Sequence, residues 1–167
     1  TERMFVRMRI AEVEGDAATA LALEQQLAAL LPNDWRVQLA LAGRANDAGR
    51  FDEALAAFTR VTELRPNAGG AWNSIGYIHL EKDRLEDAVA AFRKYAEMSP
   101  SDPNARDSLG DALWRAGKLD DAEASFRKAL EVDPYLVPAL INLANIHYSK
   151  DELAEAQALY ERFSRES

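Results

Sequence analysis

Four of the six prolines in this sequence, Pro32, Pro66, Pro100 and Pro134, fall at one constant interval of 34 residues. Proline lacks the amide proton that a helix interior needs and its ring clashes with the preceding turn, so each of these residues marks a place where a helix stops. Three further columns keep the same step: Ala20, Ala54, Ala88, Ala122 and Ala156; Phe58, Phe92, Phe126 and Tyr160; Leu41, Ile75, Leu109 and Leu143. A small residue follows each member of the last series, at Ala42, Gly76, Gly110 and Ala144. Gly15, Gly49 and Gly117 occupy a turn column in which Asp83 and Asp151 stand in. Self-similarity at such a period signals stacked supersecondary units, each of which buries its apolar side only against a neighbour.

Each unit reads as a pair of helices. Ala71 to Leu80 carries Trp72, Ile75, Gly76 and His79 at helical spacing, and Leu85 to Met98 does the same with Ala88, Phe92 and Tyr95. Between two such helices, the stretch Ala48-Gly49-Arg50-Phe51-Asp52 offers a glycine for a positive φ and Asp52 to cap the second helix. Asp34 and Asp102 are expected to cap the first helix of the following units. Small residues at Gly76 and Ala88 let two helix axes approach, while Trp72 and Phe92 fill the wider gaps.

In their order and spacing, Trp72, Ile75-Gly76, Ala88, Phe92 and Pro100 resemble the tetratricopeptide repeat family, and the resemblance runs the length of the chain. It implies an all-α fold, a right-handed superhelical solenoid of antiparallel helix pairs with about five repeats in one domain spanning 1–167. The repeats are placed at 1–34, 35–68, 69–102, 103–136 and 137–167. The first diverges: Arg7 and Met8 take the apolar and small places and Glu24 the aromatic one, leaving Gly15, Ala20, Leu27, Leu30 and Pro32 in register. Met4, Val6, Met8 and Ile10 also alternate, which leaves a strand open beside the distorted helix that we expect.

Terminal repeats of a solenoid need a polar outer face. The column Leu30, Leu64, Met98, Val132 ends in Glu166, and the column Leu55, Val89 continues as Glu123 and Gln157, so the stack is expected to finish here, with Arg7 as the matching cap at the other end. Phe163 keeps a longer array as the alternative.

Composition removes several classes of function. There is no cysteine, hence no disulfide, thiolate nucleophile or Cys-ligated zinc, and cytoplasm and periplasm suit the chain equally. A net charge of −8 opposes binding to nucleic acid and to anionic lipid. No apolar run is long enough to span a bilayer. His79 and His147 share one repeat column two units apart, too far to share a metal, and read as ring-shaped fillers between helices. Nucleophile elbows, phosphate loops and H-E-x-x-H pairs are missing, and the Asp107/Asp111 pair reads more simply as a solvated acidic face than as acid–base machinery or a calcium site. We therefore expect no enzyme, no cofactor and no metal.

The resemblance implies that the first helix of each repeat lines a concave surface that contacts a ligand. Carried over to this sequence, that surface holds Asn73 and Tyr77, then Asp107, Asp111 and Trp114, then Asn142, Asn145 and Tyr148, with Phe5, Arg9, Arg36, Leu39 and Gly43 toward the N-terminus. Amides donate and accept toward an extended backbone, aromatic rings supply preorganised area, and the carboxylates favour a Lys or Arg on the ligand. A subclass of the family grips acidic C-termini with lysines, which these places lack. The expected partner is a protein or peptide of basic or neutral character, held by a scaffold or adaptor. The alternatives are a self-assembling homo-oligomeric scaffold and a regulatory module of a larger enzyme.

Overall fold

The computed structural model describes residues 2–166, with the side chains of 165 and 166 left aside, and every regular element in that span is helical. The ten helices are α1 (Glu2–Glu14), α2 (Ala17–Leu30), α3 (Trp35–Asp47), α4 (Phe51–Leu64), α5 (Gly69–Glu81), α6 (Leu85–Met98), α7 (Pro103–Arg115), α8 (Leu119–Val132), α9 (Val137–Ser149) and α10 (Leu153–Glu166). From α3 onward the odd-numbered helices begin at the 34-residue step. The region where strand and helix competed, Met4 to Ile10, is helical, because Met8 and Ala11 are buried one turn apart while Val6 and Ile10 point to solvent.

Sequence punctuation explains the boundaries. α2, α4, α6 and α8 each stop two residues before a proline of the repeated series, and Leu31, Arg65, Ser99 and Asp133 all leave the helical region, Asp133 into extended backbone, as the following proline ring disfavours helical backbone in the residue before it. The Asp34 carboxylate accepts from the Arg36 amide at 2.9 Å and that of Asp102 from the Asn104 amide at 3.0 Å, capping α3 and α7 as expected. Asp52 is not a cap. α4 already starts at Phe51 after Arg50, which places Asp52 in the first helical turn, where its charge meets the positive end of the helix dipole. The turn column is left-handed throughout, and Asp83 (φ 54°) and Asp151 (φ 62°) adopt there the conformation taken elsewhere by glycine.

The chain divides into two compact units, Thr1–Ala71 and Trp72–Ser167. In the first, α1 and α2 form one hairpin and α3 and α4 another, around Met8, Leu23, Leu27 and Val37. The Arg65 guanidinium lies 4.4 Å from the centre of the Trp35 ring, tying the end of α4 to the start of α3. In the second unit, Phe92 and Phe126 are wholly buried in a core with Ala88, Leu109, Ala112, Ala122 and Ile146. Each ring sits over a glycine of the first helix in its own hairpin: a Cβ built on Gly76 would fall 2.6 Å from Phe92 Cε1, and one on Gly110 at the same distance from Phe126 Cε1. The alternation of small and aromatic columns is thus a direct side-chain fit.

Glu123 does not mark a polar outer face. Its carboxylate accepts from Lys150 Nζ at 2.8 Å and from Arg127, joining α8 to α9, and it is the next member of the column, Gln157, that is exposed. Glu166 lies outside the residues whose side chains are described.

Candidate functional site

Within the second unit, the candidate residues lie on the first helices of three consecutive hairpins. Asn73 and Tyr77 lie one turn apart on α5, and the repeat places Asp107 and Asp111 at the same two positions of α7. Tyr77 bridges the two helices: its hydroxyl is 3.0 Å from Ser108 Oγ, and its ring meets Phe92 edge-on with 5.1 Å between centroids. It remains half exposed, so one edge is anchored and the other is offered to solvent.

Two polar atoms beside this bridge are unsatisfied. Asn73 Oδ1 and Asp107 Oδ1 are both shut off from solvent and neither has a hydrogen-bond partner. Burial, assisted by the neighbouring Asp111 carboxylate, pushes the Asp107 carboxyl up to about 6. Asp111 itself accepts from Arg115 Nε at 2.9 Å, one turn further along α7. A buried acceptor without a donor destabilises the fold, and such a group on a surface helix is a candidate contact for a ligand.

The raised Asp107 value has a testable consequence. Because the folded state holds the proton more tightly than the unfolded chain, stability contributed by this carboxyl is present at about pH 3 and falls as the pH rises to about 6, then levels off. Asp107→Asn is therefore expected to leave the urea midpoint unchanged at about pH 3 and to raise stability by about 1 kcal/mol at neutral pH, a figure already reduced for the solvent-facing part of the side chain.

The remaining candidates are arranged differently. Trp114 is about one-third exposed at the end of α7. Asn142 lies partly exposed on α9. Asn145 accepts the Tyr160 hydroxyl proton at 2.6 Å and is thereby committed to α10. Tyr148, 66% exposed, shares a shallow hollow with Leu153, Gln157 and Tyr160 of α10. The structure thus joins α5 to α7 through Tyr77 and Ser108, whereas Asn145 and Tyr148 associate with the last helix.

His147 is buried, with Nδ1 beside the Glu152 carboxylate and Nε2 3.2 Å from an Arg127 nitrogen, an arrangement that suits a structural residue. Burial holds His79 below its ordinary value. Among the described residues no cluster of three or more His, Asp or Glu is placed to hold a metal, and no helix is long and apolar enough to cross a membrane.

The first unit has its own surface hollow, between α1 and α3, with Phe5, Arg9, Leu39 and Gly43 among its lining residues. Arg36 lies 5.1 Å from the Phe5 ring centre and is held there by the Asp34 carboxylate at 2.6 Å. Glu12 and Arg44 also line it, joined at 2.7 Å. Sequence reading missed this pair, since Glu12 stands in a column of mixed chemistry; the charged Arg44 in a column otherwise holding the apolar Ile10, Ile78, Ala112 and Ile146 was the available signal.

A solenoid of helix hairpins with polar groups on its first helices defines a class of repeat proteins that act through their surfaces. Profiles described as tetratricopeptide repeat match residues 39–103 and 113–166, together well over half of the sequence, and the chain belongs to that family. No curated protein sequence matches it. Among solved structures, a crystal structure of MamA superposes with a TM-score of 0.87 at 18% identity, covering 95% of this chain and 92% of that one. MamA from Desulfovibrio magneticus RS-1, residue 41 to the end, gives 0.86 at 20% identity over 98% and 93%. YrrB, described as a TPR protein with an unusual peptide-binding site, gives 0.78 at 18% identity over 93% and 80%.

Proposed function

We propose that the protein acts as a protein-interaction scaffold that holds an extended peptide segment across the first helices of its last three hairpins, with Asn73, Tyr77, Asp107 and Asn142 as the central contacts. The observation that carries this reading is the pair of buried, donorless acceptors, Asn73 Oδ1 and Asp107 Oδ1. An isolated chain retains such atoms at a cost, and a peptide amide or a cationic side chain would supply the missing donor. The carboxylates of Asp107 and Asp111 favour a Lys or Arg at that point of the ligand and oppose an acidic one. Recruitment needs no reacting group, and the role is binding without catalysis. YrrB shows that a similar fold can carry a peptide site.

Fluorescence anisotropy against a library of labelled peptides tests this. Lys- and Arg-containing members are expected to bind best, and replacing Asn73, Asp107 and Asn142 together by Ala is expected to weaken the best binder by about tenfold or more. An unchanged affinity in the triple variant would remove the inner surface from consideration.

A second reading, self-association, is favoured by the outer face of α1, where Val6, Ile10 and Val13 are 57%, 49% and 86% exposed at helical spacing. Light scattering separates the two readings: a mass that rises with concentration, and stays low in Ile10→Glu, supports association through this stripe.

A further inference from the structure

We propose that the first hairpin, α1–α2, is a detachable element latched to α3 by the charge cluster Glu12, Arg44 and Glu24, and that its docking forms and its release removes the surface hollow between α1 and α3.

The argument begins with the repeat columns. Glu24 stands where the other repeats have Phe58, Phe92, Phe126 and Tyr160, and Arg44 stands where α7 has Ala112 and α9 has Ile146, both wholly buried. At the junction of α2 with α3, an ion pair therefore stands beside the apolar contacts of Leu23, Leu27 and Val37, where the corresponding places on α6, α7, α8 and α9 hold the apolar core residues Phe92, Ala112, Phe126 and Ile146. Arg44 Nε is 2.6 Å from Glu24 Oε2, and the same guanidinium reaches Glu12 Oε1 of α1 at 2.7 Å, so one side chain of α3 holds both helices of the first hairpin. Glu24 is 1% exposed, and its contact with Arg44 Nε is an ion pair whose geometry is not that of a hydrogen bond, so both Glu24 oxygens and Arg44 Nε stay buried without a hydrogen-bond partner.

Such a joint differs in kind from its neighbours. Separating an apolar pair exposes surface to water at a cost proportional to area, whereas separating a buried ion pair rehydrates both charges and recovers much of the desolvation penalty. The junction is also less filled. α2 meets α3 over a much smaller contact than α6 makes with α7 or α8 with α9, and a hollow lined by Leu21, Gln25, Gln38, Arg50 and Glu53 opens beside Glu24. Local opening is expected where buried apolar contact is least.

The hollow between α1 and α3 exists only while the hairpin is docked, because Phe5 and Arg9 form one wall and Leu39 and Gly43 the other. Release removes that wall and uncovers Val37 and Leu27, now buried. The latch goes beyond the scaffold reading by assigning regulation to the α1–α3 hollow, and it is read on the free protein, so either idea can fail alone.

The groups facing Glu24 are Arg44 from α3, Glu12 from α1, and Arg50 and Glu53 from the start of α4. Burial raises the Glu24 carboxyl above its ordinary value, opposed in part by Arg44. Arg44 therefore offsets only part of the cost of burying the Glu24 charge: the docked state takes up a proton more readily than the open one, docking weakens as pH rises above the ordinary carboxylate range and then becomes independent of pH, and without Arg44 the same buried charge would oppose docking more strongly.

Hydrogen exchange of the free protein, corrected for intrinsic exchange rates, tests the latch. Amides of α1 and α2 are expected to exchange through an opening that leaves α7 and α8 protected. Arg44→Met should lower protection in α1–α2 by about tenfold or more with no matching change in α7–α8. Glu24→Gln, close in shape, should abolish the pH dependence of α1–α2 protection. Exchange of α1–α2 in step with α7–α8, or a pH dependence that survives in Glu24→Gln, would overturn the proposal.

Discussion

Phe126→Ala is expected to lower the free energy of unfolding by about 3–5 kcal/mol, read as a shift of the urea midpoint at unchanged slope. The ring has no exposed surface, and the same core holds Ala122 and Ala129, which are too small to move into the space it leaves. The opposite wall is Gly110, which has no side chain to contribute. The cavity would stay open and the full transfer and cavity terms would appear. Phe126→Leu keeps most of the volume and is expected to cost about 1 kcal/mol.

The second large effect is a change of sign between two identical substitutions. Gly110→Ala places a Cβ 2.6 Å from Phe126 Cε1 and 2.7 Å from Cδ1, against a ring that packing prevents from swinging away. We expect a net loss of about 1–2 kcal/mol, the overpacking exceeding the gain in helix propensity. Gly43→Ala, also in a helix interior, meets nothing within 4 Å and is expected to gain about 0.5–1 kcal/mol. Combining Gly110→Ala with Phe126→Leu should recover part of the loss, because the two residues share one contact. Equal effects at Gly110 and Gly43 in chemical denaturation would contradict the fit described between the two columns.

That fit shows why so much of the fold was legible in the sequence. Repeated stacking leaves each column one environment, and the residues record it: proline after each second helix, a left-handed residue at each turn, a small residue opposite each aromatic ring. Where the columns hold, the helices follow within a residue or two. They were less informative where a residue departs from its column. Glu24 stands in the sequence only as a departure from the aromatic column, and the structure makes it one end of an ion pair with Arg44. Glu123 looked like an outer surface, and Lys150 turns it inward. In both cases the compensating charge lies in the next repeat.

The candidate site divides along the same line. That the first helices carry amides, carboxylates and exposed rings is a property of the sequence read with the repeat in mind. Which of these groups lack partners is not. Asn145 is satisfied by Tyr160 and Asp111 by Arg115, whereas Asn73 and Asp107 each keep an unsatisfied oxygen; all four are the same kind of residue on the same kind of helix face. By itself, the sequence determined the period, the helix pairing and the family, because those depend on local propensity and on a pattern repeated along the chain. Only the tertiary structure decided which polar atoms are buried without a donor and which charges meet across helices, because desolvation and hydrogen bonding depend on neighbours on other helices, distant in sequence and brought within a few ångströms by packing.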